Sequence, residues 1–421
     1  MNSDLIMKDN ITKTVTDGLC VGCGVCEDIC PKRCIIIQKG KLNVPKVDEN
    51  ACINCGLCRK VCAGKGIRIE ALAKETFGVT PHYNQMLGHY VQLYKGYSTE
   101  YENRYHCASG GCLSQFLIWL LNRGEIDGAV VTGYQTNNPM KPRVYIARNR
   151  EEVLAGKSSK YCVVSMNGIA KEIHNRPGHY VVVGLPCHIQ AFRNYCSIDK
   201  ILGERIIGFF SIFCSGNKNM DSQDYMLWRY NVNVNELTEF SYRDEGCMGS
   251  VFFRDKNRNH LCPPIEYASF YKGVRAFFSI PRCGVCSDFF GELGDVGFGD
   301  LNTNRADDDP IGINSIITRS LYWDKLLNQC AMEGSLWIND LEEKVMIAVN
   351  GHCLKKKGDS IYAERKIRSF TRRKNPEFDN LTSVTPSLKS YVSCLSAIVQ
   401  RFIGRHRLLW PIIKMLDKKN N

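Results

Sequence analysis

Two runs of this chain repeat four cysteines at one spacing. "CVGCGVCEDICP" sets Cys20, Cys23, Cys26 and Cys30 ahead of Pro31, and "CINCGLCRKVCA" sets Cys52, Cys55, Cys58 and Cys62 ahead of Ala63. Both read C-x2-C-x2-C-x3-C. Two-residue gaps let three thiolates wrap one iron–sulfur cubane, while the fourth starts the next segment and reaches the other cubane. The spacing predicts one 4Fe–4S cluster on Cys20, Cys23, Cys26 and Cys62. It predicts a second on Cys52, Cys55, Cys58 and Cys30. Zinc knuckles would call for paired Cys-x-x-Cys units rather than two runs of four. Cys34 has no place in this scheme and reads as a small buried neighbour.

A further set is less regular. "IPRCGVCSDFFGELGDVGFGD" holds Cys283 and Cys286, half of a tetrahedral thiolate site. Cys187 and Cys214 follow the apolar stretches "HYVVVGLP" and "RIIGFFSIF". Ligands of open α/β sheets bind beyond the carboxyl ends of such strands. By spacing alone the four could close a thiolate site, form a zinc knuckle or remain an unliganded core group.

The elements that must position these residues read in two parts. The first 82 residues, with an internal duplication, resemble bacterial two-cluster ferredoxins, an α+β module; Ala63 stands where the second proline is usual. From residue 83 the pattern becomes α/β. A helix is expected from about Cys112 to Asn122, with Leu113, Phe116, Leu117 and Leu120 at helical spacing. Strands are expected at Ala129–Thr132 and Tyr180–Val183. Pro186 suits a first helical turn after Gly184, and His188 reads as a capping or packing residue there. Strands without alternation fit a sheet covered on both faces.

Composition narrows the function. The chain has 421 residues, 44% hydrophobic, enough for two or three domains. No apolar run approaches membrane-spanning length, and "MNSDLIMKDN" is not a secretory leader, so a cytoplasmic protein is expected. Nine of its 22 cysteines fall between Cys20 and Cys62. In a reducing compartment that density favours metal ligation over disulfides. The net charge is +12 overall, but residues 355–421 hold 16 Lys/Arg against 5 Asp/Glu, or +11. The body therefore carries about +1, and a nucleic-acid partner is not expected. The helical basic tail, residues 355–421, mixes Leu, Ile, Phe and Trp with Lys and Arg. It suits amphipathic segments on an anionic membrane surface, at the inner membrane face, or on a partner. It equally suits a packed helix with a solvated basic face.

Five ordered motifs, "ASGG", "SSKY", "VGLPCHIQAFRN", "FCSG" and "RCGVCSDFFGELGDVGFGD", resemble the family of coenzyme F-420 hydrogenase/dehydrogenase beta subunits. The resemblance runs from about Tyr97 to Asn350, in an N-terminal part (83–200) and a C-terminal part (201–354). It implies an α/β domain with FAD and a third 4Fe–4S cluster, carried onto Cys187, Cys214, Cys283 and Cys286. It implies flavin contacts at Ser109, Gly110, Gly111, Ser159, Lys160, Tyr161, Gly184 and Pro186, with Lys160 as a cation for a phosphate. The activity implied is a flavin- and iron–sulfur-dependent oxidoreductase. It would pass electrons between a two-electron carrier, the reduced deazaflavin coenzyme or a similar donor, and the clusters or a redox partner protein. Two other readings remain: a ferredoxin-dependent reductase of a small organic substrate, and a subunit that transfers electrons without catalysis of its own. In "RDEGCMGS", Cys247 departs from the Gly-Trp usual in relatives, and Cys107 and Cys112 flank the Ser-Gly-Gly loop.

Overall fold

The computed structural model describes residues 9–301 and 309–418. The outer limits expected for the module and the tail, residues 1 and 421, lie outside them. The centre is a mixed sheet of eight strands: β1 (Gln92–Ser98), β2 (Gly128–Gln135), β3 (Asn138–Ala147), β4 (Tyr180–Gly184), β5 (Ile206–Ile212), β6 (Val296–Asp300), β7 (Asn314–Thr318) and β8 (Leu336–Asp340). Their order is β8-β1-β7-β6-β5-β4-β2-β3. The four inner strands β2, β4, β5 and β6 run parallel, and the outer ones pair antiparallel. β4 is buried at every position, as its unbroken apolar run requires for a strand covered on both faces.

Helix α1 (Cys112–Arg123) and helix α2 (Pro186–Cys196) lie at the sheet. α1 brings Phe116 to 5.5 Å from Phe210, which meets Trp323 edge-on at 4.9 Å. Gly208 on β5 is needed there, because a Cβ would run into the Trp323 ring. The expected helix over 112–122 and the strands at 129–132 and 180–183 all form.

The N-terminal module repeats itself in three dimensions. Short helices Val25–Asp28 and Leu57–Lys60 each follow a glycine of positive φ, Gly24 at 77° and Gly56 at 71°. Only glycine adopts that conformation without strain, so the chain can turn between the second and third cysteines of each run. The module is not a bead on a linker. Val25, Val61 and Ile69 share one buried apolar cluster with Phe192 of α2 and Phe209 of β5.

The basic segment is also part of the body. Helix α3 (Asp359–Phe370) is followed by a short strand, Glu377–Phe378, which pairs in parallel with Gly66–Ile67 of the module. Asp379 then accepts from the amides of Glu70 (2.8 Å) and Ala71 (3.0 Å), capping the helix Ile69–Phe77. Helices α4 (Leu388–Arg405) and α5 (Trp410–Lys418) complete the described chain. No helix among the described residues is long and apolar enough to cross a membrane.

Candidate functional site

Two small pockets in the module sort its cysteines. The first is lined by Cys20, Cys23, Cys26 and Cys62, with Ile11 and Val61 among its apolar walls. The second is lined by Cys30, Cys52, Cys55 and Cys58, together with Cys34. The crossed sets expected from the spacing are therefore the sets brought together. Each fourth cysteine arrives from the other run, because the two short helices pack against each other. Cys34, expected as a small buried neighbour, is buried beside the second set, its Sγ 3.4 Å from that of Cys30.

Burial pushes the thiols of Cys20 and Cys23 up to about 12, and neighbouring thiols add to the shift. Thiolates there would need a compensating positive charge. Among the described residues, no group of three or more His, Cys, Asp or Glu side chains is set to hold a single metal ion. Four thiolates on one zinc stand about 3.8 Å apart, given Zn–S bonds near 2.3 Å. Here the four cysteines of each set line the walls of one pocket.

The remaining set gathers where β4 and β5 end. Cys187 lies in the first turn of α2, Cys214 follows β5, Cys283 lies within the turn Pro281–Val285 and Cys286 ends it. Burial raises the Cys187 thiol well above its usual range, and the thiols of Cys214, Cys23, Cys283 and Cys286 raise it further. Polar groups converge here: the Asn217 amide lies 3.4 Å from Cys283 Sγ, and Lys356 Nζ donates to the Cys283 carbonyl at 2.7 Å. Burial opposes the charge on Lys356, but the thiols of Cys286, Cys283 and Cys214 more than offset it and raise its pKa.

Arg282 ties this set to the module. It is buried, and it donates through Nε to the Gly64 carbonyl (2.7 Å) and through Nη2 to that of Ala63 (3.0 Å). Those carbonyls directly follow Cys62, and Arg282 directly precedes Cys283. The opposite flank is pinned by the Met166 amide on the Cys23 carbonyl at 2.8 Å. There Asp28 also accepts from the amides of Gly168 (2.8 Å) and Ala170 (3.1 Å).

Beyond the cysteines, the same sheet edge carries an aromatic wall. Tyr161 stacks on Tyr267 at 5.3 Å and lies 6.2 Å from Tyr271, whose hydroxyl is 3.3 Å from Ser215 Oγ, next to Cys214. Arg243 sits over Tyr267 at 4.6 Å and donates to Asp300 Oδ2 at 2.6 Å and to the Met248 carbonyl at 2.8 Å. Its Nη2, also buried, has no hydrogen-bond partner. Behind it, Ser109 Oγ donates to the Ile313 carbonyl at 2.7 Å, and the Cys112 amide donates to Asn314 Oδ1 at 3.0 Å. Gly110 lies so close to Gly96 and Asn314 that no Cβ fits.

Several expected contacts are otherwise engaged. Lys160, expected to meet a phosphate, is turned inward. Its Nζ donates to the carbonyls of Gly156 (2.7 Å), Lys157 (2.6 Å) and Ser158 (3.0 Å), which uses all three protons. Ser159, beside it, is half-buried. Gly184 makes room for His188, and Pro186 is buried in the first turn of α2. His188 accepts from the Leu185 amide at 3.4 Å, the capping role expected of it. Cys107 is buried, 3.4 Å from Asn103 Oδ1, and burial raises its pKa; Cys112 is fully buried in the core. Arg243, Tyr267, Tyr271, Arg282 and Lys356 were not anticipated. The four-residue spacing of Tyr267 and Tyr271 on one helix was their one visible signal.

Comparison with known proteins matches residues 93–171 to the N-terminal part, and residues 178–344 to the C terminus, of the coenzyme F420 hydrogenase/dehydrogenase beta subunit. The chain is 22% identical over 354 residues to the coenzyme F420-dependent sulfite reductase of Methanocaldococcus jannaschii. That match covers 79% of this chain but only 49% of the reductase. To the F subunit of the F(420)H(2) dehydrogenase of Methanosarcina mazei it is 21% identical, covering 87% of this chain and 97% of that one. In fold it is similar to a chain of the F420-reducing [NiFe] hydrogenase complex from Methanosarcina barkeri. The TM-score is 0.54 at 19% identity, over 69% of this chain and 94% of that one. With both halves of its central sheet matched, the chain belongs to the family of coenzyme F420 hydrogenase/dehydrogenase beta subunits.

Proposed function

We propose that the chain is an iron–sulfur flavoprotein oxidoreductase. It exchanges electrons between a two-electron carrier of the coenzyme F420 type and a redox partner protein. The observation that carries the reading is the lining of two module pockets by crossed cysteine sets, one pocket to each set. Relatives named as F420-linked hydrogenase, dehydrogenase and sulfite reductase support the carrier.

The residues fit the groups implied. Cys20, Cys23, Cys26 and Cys62 would hold one 4Fe–4S cluster, Cys30, Cys52, Cys55 and Cys58 a second, and Cys187, Cys214, Cys283 and Cys286 a third. The unpartnered Arg243 Nη2 beside Tyr161 and Tyr267 suits an anionic or carbonyl acceptor of a flavin, with Ser109, Gly110 and Gly111 behind it. When bound, these cofactors supply the redox chemistry, the flavin taking electrons in pairs and the clusters singly. The protein fixes their spacing. Arg282 and the Met166 amide hold the module at both flanks of its first pocket, and Lys356 supplies positive charge at the third set.

Iron, acid-labile sulfide and flavin per chain after anaerobic purification test this reading. About twelve irons and one flavin are expected, and Cys286→Ser should retain about eight irons. About eight irons and no flavin in the unaltered chain would overturn the flavoprotein assignment. Retention of all twelve in Cys286→Ser would remove the third cluster.

A further inference from the structure

The redox reading makes no use of the far side of α4 and α5. Helix α4 is anchored through an unusual face. Its buried residues are Ser390, Cys394, Arg401 and Gly404. Arg401 donates to Glu364 of α3 at 3.0 Å, Cys394 Sγ is 3.6 Å from the Ser360 carbonyl, and Gly404 abuts the Phe277 backbone. At 3.6 residues per turn these positions fall on one side.

Leu388, Val392, Leu395, Val399 and Phe402 recur every three or four residues on the opposite side. They are 80, 59, 53, 57 and 58% exposed. A surface helix normally buries its apolar stripe and shows a polar one; here the small and polar face is packed and the apolar face meets solvent. The pattern resumes at Leu408, 94% exposed, and Met415, 65% exposed. Of the two readings of the tail, a packed helix with a solvated basic face is therefore only half realised: the packing is present, but the solvated face is apolar.

Charge tells what should cover it. From Asn380 to the end of α5 the one acidic residue is Asp417, against Lys389, Arg401, Arg405, Arg407, Lys414 and Lys418. Arg401 is engaged with Glu364, and Arg407 reaches Asp224. Lys389 and Arg405 stand exposed at the two ends of the apolar stripe, and Lys414 lies over the half-exposed Trp228 ring at 5.7 Å. Side chains this exposed form a ridge rather than a groove. A ridge of apolar residues with a basic rim matches a soft, anionic surface.

We propose that α4 and α5 seat the chain on an anionic lipid surface. The stripe enters the boundary between headgroups and acyl chains, with Lys389, Arg405 and Lys414 at lipid phosphates. This holds whether or not the redox reading does.

The test is flotation of the full chain with vesicles of phosphatidylcholine, alone or mixed with phosphatidylglycerol. Light scattering in parallel reports oligomeric state. The unaltered chain should float with the anionic vesicles and bind the neutral ones about tenfold more weakly. Val399→Glu with Phe402→Glu, both on the exposed face, should weaken anionic binding about tenfold or more with an unchanged melting temperature. Lys389→Glu with Arg405→Glu should do the same through charge alone. Failure of the unaltered chain to float, or equal flotation by all forms, overturns the proposal. So does a dimer that separates in the Val399/Phe402 variant, because a second copy would then be the occupant.

Discussion

At the scale of single residues, Lys160 makes the clearest departure from expectation. Burial pushes its pKa from 10.5 down to about 7, with the thiols of Cys107 and Cys162 opposing the shift in part. An unfolded chain keeps this lysine charged up to its ordinary pKa. Between about pH 7 and pH 10 the unfolded state therefore binds the extra proton, and the contribution of Lys160 to stability rises with pH. It is lost as pH falls through the folded value. The slope from one group cannot exceed about 1.4 kcal/mol per pH unit. Lys160→Met should flatten this dependence, measured as denaturant midpoints from pH 7 to pH 9.5; an unchanged slope would place the titration elsewhere.

Residue chemistry was also where the sequence was easiest to read. The grouping of the eight module cysteines was legible, because the spacing that predicts it is local. Arg243 and Arg282 were not. Arg282 meets Ala63 and Gly64 across more than two hundred residues, and nothing near it in sequence hints at that.

At the scale of elements, helix and strand positions around α1, α2 and β4 could be read from apolar periodicity and from Gly184-Leu185-Pro186. The order of the sheet could not, since β6 and β7 complete it from residues that follow a three-stranded excursion, Glu239–Glu266. The turn Pro281–Val285 shows how one element couples two parts of the molecule. Arg282→Ala would strand the carbonyls of Ala63 and Gly64 in a buried junction, at a cost of about 2–4 kcal/mol. Stability measured by denaturant should fall by that amount. Arg282→Lys, which keeps the charge but lacks the planar fork that reaches both carbonyls, should fall between the variant and the unaltered chain. A neutral Arg282→Ala would mean that the shared apolar cluster alone holds the module.

At the scale of the whole molecule, what composition marks as a basic tail is a brace. Glu377–Phe378 pairs with the module, Asp379 caps its helix, Asn380 Nδ2 donates to the buried Glu292 at 2.8 Å, and Lys357 bridges to Glu292 at 2.7 Å. A count of charges cannot reveal this, because the contacts are made by a few residues scattered among many basic ones. A chain ending at Asn375 should therefore keep the eight-stranded sheet but lose protection in the helix Ile69–Phe77. Hydrogen exchange of amides 69–77, at least tenfold faster than in the full chain, would show it; unchanged exchange would mean that the brace is dispensable.

The pairing of Gly66–Ile67 with Glu377–Phe378 also sets a clock. Residue 377 leaves the ribosome 311 residues after residue 66. At about 5–20 residues per second, that is roughly 15 to 60 seconds of synthesis. Through that interval the module has all its cysteines but neither its last strand nor its helix cap, and Arg282 has yet to be made for most of it. The clusters proposed for these cysteines would have that interval in which to form before residues 377–379 complete the module.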